Sequence, residues 1–447
     1  MKQYDTYKES GIEWIGEIPS HWEVKKLQFL AAKEKYSFTG GPFGSDLKAD
    51  EYTQEGVRII QLQNIGVGRF LNDYKIFTSD KKADELYNCN IFPEEIIVAK
   101  MADPVARACL IPKENDRYLM ASDGIRIKVD SKKANNNYAV YSINSPYFNY
   151  EAVRNSEGTT RLRIGLSTVK KLKIILPPLK EQTTIANYLN RKTAEIDDLI
   201  SDKKRLLELY EEEKTAFINQ AVTKGLDPNV KMKDSGIEWL GEIPEHWVVK
   251  RLSWCFEIIG SGTTPKAGEE EYYYNGEFNW LLTGDLTDGE VWGTSKKITQ
   301  KALDDYSSLK KYPANSIVMA MYGATIGKLG ILKIPTTVNQ ACCVMTTPNH
   351  FNYVFAFYLL LAARKEIINM SYGGGQPNIS QELIRSFRVQ VPPLEEQQSI
   401  VYHIETECAR IDAKKDKTKK LIDLLTEYRT ALISEVVTGK INVIDEL

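Results

Sequence analysis

"SGIEWIGEIPSHWEVKKL" occupies residues 10–27, and "SGIEWLGEIPEHWVVKRL" occupies residues 235–252. Each matched position lies 225 residues from its twin, from Ser10 and Ser235 through Trp14 and Trp239 to Leu27 and Leu252. A repeat of this kind decides the architecture before local propensities are weighed. A second block is also doubled: "LPPLKEQTTIANYLN" from Leu176 and "VPPLEEQQSIVYHIE" from Val391, at an offset of 215. That register holds through Ile196 and Ile411 to Val222 and Val437, and back to Tyr138 and Tyr353. Each half therefore reads as strap, module and long helix. The straps and helices are alike; the modules between them are not.

Trp14, Ile15, Ile18 and Trp22 read as a packing surface that seats each module at a helix end, with partner docking as the alternative. The fall in offset from 225 to 215 makes the first module ten residues longer. The boundaries expected are a strap over 1–27, a module over 28–175, and a long helix over 176–226. A linker with the second strap follows over 227–252, then a module over 253–390 and a final helix and tail over 391–447.

A chain of 447 residues, 43% hydrophobic, can build two to four domains with cores. The first ten residues, "MKQYDTYKES", are polar and carry no secretory pattern. "VFAFYLLLAA" at 354–363 is shorter than the ~18–20 residues a bilayer needs, so it reads as a buried helix. Six cysteines without a CxxC pair or a histidine at zinc spacing point to a reduced, metal-free protein of the cytosol. His21 and His246 are copies within the strap, which makes neither a unique base. The net charge of −2 speaks weakly against nucleic acid, but charge is local. Residues 28–175 hold 22 Lys and Arg against 18 Asp and Glu, and residues 253–390 hold 12 against 12. The acidic excess lies outside the first module.

Pro177-Pro178 can open a helix but not continue inside one. A 4-3 spacing then places Ile185, Leu189, Ile196, Leu199, Leu206, Tyr210 and Phe217 on one face, with Lys192, Lys203 and Glu213 in the remaining slots. The second half places Ile400, Ile404, Ile411, Leu421, Leu425, Tyr428 and Leu432 there, with Glu407, Lys414 and Thr418. Seven of ten slots are apolar in each, a heptad seam. Helices of about 45 residues would reach roughly 65–70 Å. Two like halves pair about a pseudo-twofold axis, so the helices are expected antiparallel. Packing of each helix on its own module, or on another molecule, is the alternative. The fold class expected is α+β: two β-rich modules separated by two long helices that form an antiparallel coiled coil, with internal pseudo-twofold duplication.

Strands are expected over 58–63, 95–100, 124–129 and 173–177, and over 278–282, 316–321, 342–346 and 387–391. One helix is expected in each module, over 138–154 and 353–370. The loops hold the groups that suit DNA. "GGPFGSDLK" (40–48) and "GSGTTPK" (260–266) are Gly/Pro turns ending in Lys, and "EGTTRLRIGLS" (157–167) aligns with "GGGQPNIS" (373–380). Backbone N–H groups, hydroxyls and cations there suit phosphates, while Arg suits guanine edges and Asn or Gln adenine edges. The candidates in the first module are Ser45, Lys48, Gln61, Gln63, Asn64, Lys100, Arg107, Arg126, Thr159, Thr160, Arg161 and Arg163. In the second they are Thr263, Thr264, Lys266, Thr283, Tyr322, Lys328, Asn339, Gln340, Gln376 and Asn378. Against each stands the plainer reading of a turn or a solvated side chain.

Catalytic signatures are missing from the sequence. "GATIGKL" at 323–329 lacks the P-loop spacing and hydroxyl, no GxGxxG opens a helix, and HExxH and N-P-P-[YF] are absent. Glu13, Glu17, Glu238 and Glu242 recur in the strap without a base and read as surface. No catalytic, cofactor-binding or metal-binding residue is expected.

The doubled strap, the doubled "PPLxEQ" helix start, the "GPFGSDLK" loop and the "TTRLRIGLS"/"GGGQPNIS" pair, in this order, resemble the specificity subunit of type I restriction–modification enzymes. The resemblance covers nearly the whole chain. It implies that 28–175 and 253–390 are target recognition domains, each reading half of a split, asymmetric site in double-stranded DNA. It implies two methylation subunits and two restriction subunits as partners, which would use S-adenosylmethionine, ATP and Mg. This chain would be a non-catalytic scaffold in the cytoplasm of a bacterium or archaeon, with no membrane contact. Two rivals remain: a two-lobed coiled-coil adaptor that reads no DNA, and a self-sufficient methyltransferase or nuclease.

Overall fold

A computed structural model describes residues 2–101, 103–371 and 378–444. The chain divides into two compact units, Met1–Lys204 with Lys419–Leu447, and Arg205–Thr418. The long helices Leu179–Lys224 and Leu394–Val437 contribute to both.

In the first unit the strap folds as a hairpin, Tyr7–Glu9 against Glu17–Pro19, followed by Glu23–Lys26 paired antiparallel with Lys173–Leu176. The second unit repeats this with Met232–Asp234, Glu242–Pro244, Val248–Arg251 and Arg388–Val391. The strap strand thus clamps the strand that leads into the long helix. Ile12, Ile15, Ile18 and Trp22 enter the core of the first unit. Trp14 stays 37% exposed, edge-on to Tyr150, with the Arg154 guanidinium 5.8 Å from its ring centre.

The doubled "EQ" explains why the helix starts look alike. Gln182 is fully buried; its side chain donates to Pro177 O at 2.8 Å and accepts from the Asn135 amide at 2.9 Å. Gln397 does the same with Pro392 O and the Asn352 amide. Each glutamine ties the start of the long helix to the start of the module's own helix. Glu181 accepts from Trp22 Nε1 at 2.9 Å and lies 2.8 Å from His21 Nε2. Glu396 lies 2.7 Å from His246 Nε2, but the buried Trp247 Nε1 has no partner. The second long helix ends beside Trp22. Gly439 has φ +74°, and a Cβ there would lie 2.3 Å from Pro19 Cδ and 3.1 Å from Trp22 Cζ3. Only glycine fits both the left-handed turn and that contact.

The helices pair antiparallel within each unit. Asp197 binds Arg429 in the first; in the second Lys214 binds Asp412 at 2.8 Å and Lys415 binds Glu211. The two residue numbers add to the same total in all three pairs. The buried stripe differs from the expected seam by one residue at alternate steps. Ile185, Leu189, Ile196, Ile400, Ile404, Ile411 and Leu432 are buried, while Leu206, Tyr210, Phe217 and Leu425 are half-buried. Leu199, Leu421 and Tyr428 are exposed, and Ile200, Ile422 and Arg429 sit nearer the interior in their place. Thr193 and Cys408 are likewise buried where Lys192 and Glu407 were expected. The stripe begins with two four-residue steps, and polar residues with long stems or ionic partners fill its middle. A hydropathy criterion favours the leucines one position away.

The first module has two sheets. One runs Ala108–Leu110, Ile96–Ala99, Gly124–Ile127, Phe38–Gly40, all antiparallel. The other runs Tyr52–Thr53, Ile76–Thr78, Val57–Ile60, Tyr118–Met120, Asn90–Ile91, with 57–60 and 118–120 parallel. In the second module, Lys296–Ile298, Phe278–Leu281 and Thr337–Val338 repeat the middle of the latter sheet, again with one parallel pair. Its larger sheet runs Phe256–Ser261, Cys342–Pro348, Ile317–Ala320, Leu329–Leu332, Gly289–Val291.

The strand expected over 58–63 ends at Ile60, because Leu62–Asn64 turns as a 3-10 helix. Each helix expected in a module is two. Asn136–Ile143 stops before Pro146–Arg154, since Pro146 lacks the N–H to continue and suits a first turn. Tyr353–Ala362 and Arg364–Asn369 meet at Ala363.

Among the described residues no helix is long and apolar enough to cross a membrane, and no group of three or more His, Cys, Asp or Glu could hold a metal ion. The six cysteines are buried and unpaired; burial pushes Cys109, Cys342 and Cys343 up to about 12.

Candidate nucleic-acid interface

In the first module the loops meet through backbone contacts. The Ala121 amide donates to Ile60 O at 2.9 Å, and a Cβ on Gly41 would lie 1.9 Å from Ala121 O. The "GGPFGSDLK" loop can approach this close only because position 41 is glycine. The Lys100 amide donates to Asp123 O at 2.8 Å, its ammonium to Ser122 O at 2.7 Å, and the Ile164 amide to Lys100 O at 2.8 Å. Arg163 binds Asp123 at 2.7 Å. Two candidate loops and the turn at 121–123 thus meet around one half-buried lysine, whose pKa burial lowers.

The second module repeats the frame with other side chains. Asn339 N donates to Leu281 O at 3.1 Å, and a Cβ on Gly262 would meet Val338 O at 1.6 Å. Met321 N donates to Ala341 O, and Ile379 N to Met321 O, both at 2.8 Å. A buried Met321 therefore occupies the place of Lys100. The 3-10 turns also match: Gln61 N donates to Asn64 Oδ1 and Leu282 N to Asp285 Oδ2. The backbones are alike; what they display is not.

Several candidates are open to solvent on these loops. Ser45, Lys48, Gln63, Thr159, Thr160, Arg161 and Arg163 are exposed, and Gln61 is half-buried. In the second module Lys266, Gln340 and Asn378 are exposed, and Thr263, Thr264, Thr283, Tyr322, Lys328 and Asn339 are half-buried. Thr264 hydrogen-bonds the Gln340 side chain, and Lys266 pairs with Glu269 at 2.8 Å. Gln376 lies outside the described residues.

Three candidates belong to the scaffold. Arg126 is 7% exposed, bound to Glu95 at 2.7 Å and to Asn90 O. Asn64 is fully buried; its amide donates to Leu71 O and Tyr74 O while its oxygen caps the turn. Arg107 is half-buried and donates to Ile65 O and, at 2.8 Å, to Leu62 O; burial lowers its pKa. Apart from Arg126 Nε, which has no partner, their polar groups are engaged internally, and turning them outward would strand buried partners. One strongly exposed ring was not among the candidates. Phe43, in the quoted "GPFGS" loop, is 82% exposed. Its place in a Gly-Pro turn was the available signal.

Two straps, two modules of related strand order and two antiparallel helices define an internally duplicated two-module protein. The profile of the type I restriction modification DNA specificity domain matches residues 19–209 and again 244–423. The chain belongs to that family. It is 24% identical over 439 residues to the type I restriction enzyme MjaIX specificity subunit of Methanocaldococcus jannaschii, covering 96% of this chain and 95% of that one. Among solved structures, the HsdS subunit from Thermoanaerobacter tengcongensis superposes with a TM-score of 0.59 at 14% identity, covering 95% of this chain and 98% of the other. A chain from a type I R-M system studied for complex assembly and conformational transition gives 0.65 at 14%, covering 95% and 99%. At these identities the two structures speak for the fold alone.

Proposed function

We infer that this chain is the DNA sequence-recognition subunit of a type I restriction–modification complex. Residues 28–175 and 253–390 act as target recognition domains, each reading half of a bipartite, asymmetric site. The paired helices set the spacing of the halves and dock the methylation subunits. Two methylation subunits, and two restriction subunits in the full complex, supply S-adenosylmethionine-dependent methylation and ATP- and Mg-dependent cleavage. The chain itself is a non-catalytic reader in the cytoplasm. The exposed loop residues named above, Arg161 and Gln63 in one module and Gln340 and Asn378 in the other, are the proposed contacts.

What carries this reading is the contrast between an equivalent backbone frame in both modules and unlike side chains displayed on it. Equal frames suit the same approach to a duplex; unlike side chains suit unlike sequences. The test is co-expression with the methylation subunits, mapping of methylated adenines, and exchange of residues 28–175 for another member's module. The exchange should alter one half of the site and leave the other. A complex indifferent to sequence would favour the adaptor, and methylation by the purified chain alone would favour a self-sufficient enzyme.

A further inference from the structure

Phe43 is the most exposed large apolar side chain among the described residues. Its loop leaves the ring no route back to the core. Pro42 is buried with a fixed φ, and Gly41 is pressed on the Ala121 carbonyl. The turn is closed from inside: Asp46 N donates to Phe43 O at 2.9 Å, Phe43 N to Asp46 Oδ2 at 3.2 Å, and Ser45 Oγ to Asp46 Oδ1 at 3.3 Å. Gly44 and Ser45 keep the tip narrow. Charges of both signs lie on and beside the loop: Asp46 and Lys48 within it, and Lys100 at its base, where a Cβ on Gly40 would lie 2.9 Å from the ammonium. Arg163 sits on the adjoining loop. An outward ring on a turn closed by its own hydrogen bonds suits an apolar interior behind polar edges, which is the base stack of DNA.

We propose that Phe43 is a DNA wedge: on binding, its ring enters between two base pairs of the half-site read by the first module. This rests on the reading of the chain as a DNA-recognition subunit. Insertion unstacks one step, so the favoured step is an easily opened pyrimidine–purine step, read through deformability rather than base edges. The second module carries no ring at the matching position. By the match of Gly41 with Gly262, position 43 corresponds to Thr264, whose hydroxyl is engaged by Gln340. Only one half of the site is therefore opened.

The test uses the full chain assembled with its methylation subunits, on target duplexes defined by methylation mapping. 2-Aminopurine is placed in turn at every purine of both half-sites except the methylated adenines. The wild-type complex should raise fluorescence at one step of one half-site. Phe43→Ala should abolish that rise and weaken target binding roughly tenfold, with random-duplex binding and thermal stability unchanged. Phe43→Leu should keep part of both. Specific binding with the same fluorescence for wild type and Phe43→Ala would overturn the wedge alone. So would loss of the methylation subunits in Phe43→Ala, which would make the ring a protein contact. A wild-type complex that binds every duplex equally would overturn the recognition function and the wedge with it.

Discussion

The amide of Asn442 donates to the carbonyl oxygen of Lys2 at 2.9 Å. Around that bridge, Tyr7 OH donates to Gly439 O at 3.1 Å and Lys440 Nζ to Glu17 O at 2.8 Å. The residues that follow the second long helix therefore lie against the first strap. A circular permutant that joins these segments and opens the chain between residues 227 and 232 should fold, with Tm within about 5 °C of the parent. Calorimetry checks this. An unfolded permutant would refute the closure of the two halves on each other.

The straps differ at one hydrogen bond, which gives a paired measurement. Trp22→Phe removes a bond to a carboxylate, whereas Trp247→Phe removes a buried N–H that has no partner. Both lose similar volume. Trp22→Phe should destabilise by ~1–2 kcal/mol more than Trp247→Phe in urea unfolding. Trp22→Ala should lose ~3–5 kcal/mol.

Arg126 and Arg161 should separate stability from binding. Arg126→Met leaves Glu95 buried and unpaired and should cost about 3–5 kcal/mol. Arg161→Ala, at an exposed site, should keep Tm while weakening target binding and reducing the salt slope by about one. Filter binding across salt concentrations, alongside melting curves, distinguishes them.

Lys100 should trade stability for function. Burial lowers its pKa, so the fold disfavours the ammonium form. Lys100→Met should be at least as stable as wild type at neutral pH and bind target DNA more weakly. The burden of the charged lysine is fully present below its lowered folded pKa. It vanishes as pH rises toward the ordinary value of about 10.4, so any stability gap between the two proteins should narrow over that range. Denaturant midpoints at neutral and alkaline pH would reveal the trend.

The seam should respond to burial rather than hydropathy. Ile404→Ala, at a fully buried position, should lose ~2–5 kcal/mol. Leu421→Ala, at an exposed slot of the expected seam, should change stability by no more than about 0.5 kcal/mol. Equal losses in thermal or urea unfolding would contradict the observed stripe.

Strap, module and helix were legible in the sequence because their signals are local. A repeat needs no tertiary context, and Pro177-Pro178 and Gly439 mark helix ends through backbone geometry alone. The pairing of like halves followed from the repeat. The frame of the seam did not, because a one-residue slip turns a side chain by about 100° around a helix. Leu199 or Ile200 can each satisfy a hydropathy count, and only the opposing helix selects one. The loop residues met the same limit. Asn64, Arg126 and Arg161 carry groups equally able to bind a base edge or a neighbouring backbone. The strand bearing Arg126 is buried on both faces, so it shows no alternation to betray an inward side chain. The sequence by itself determined how many modules there are and what joins them. Only the tertiary structure decided which side chains are spent on the scaffold and which, like Phe43, are left facing out.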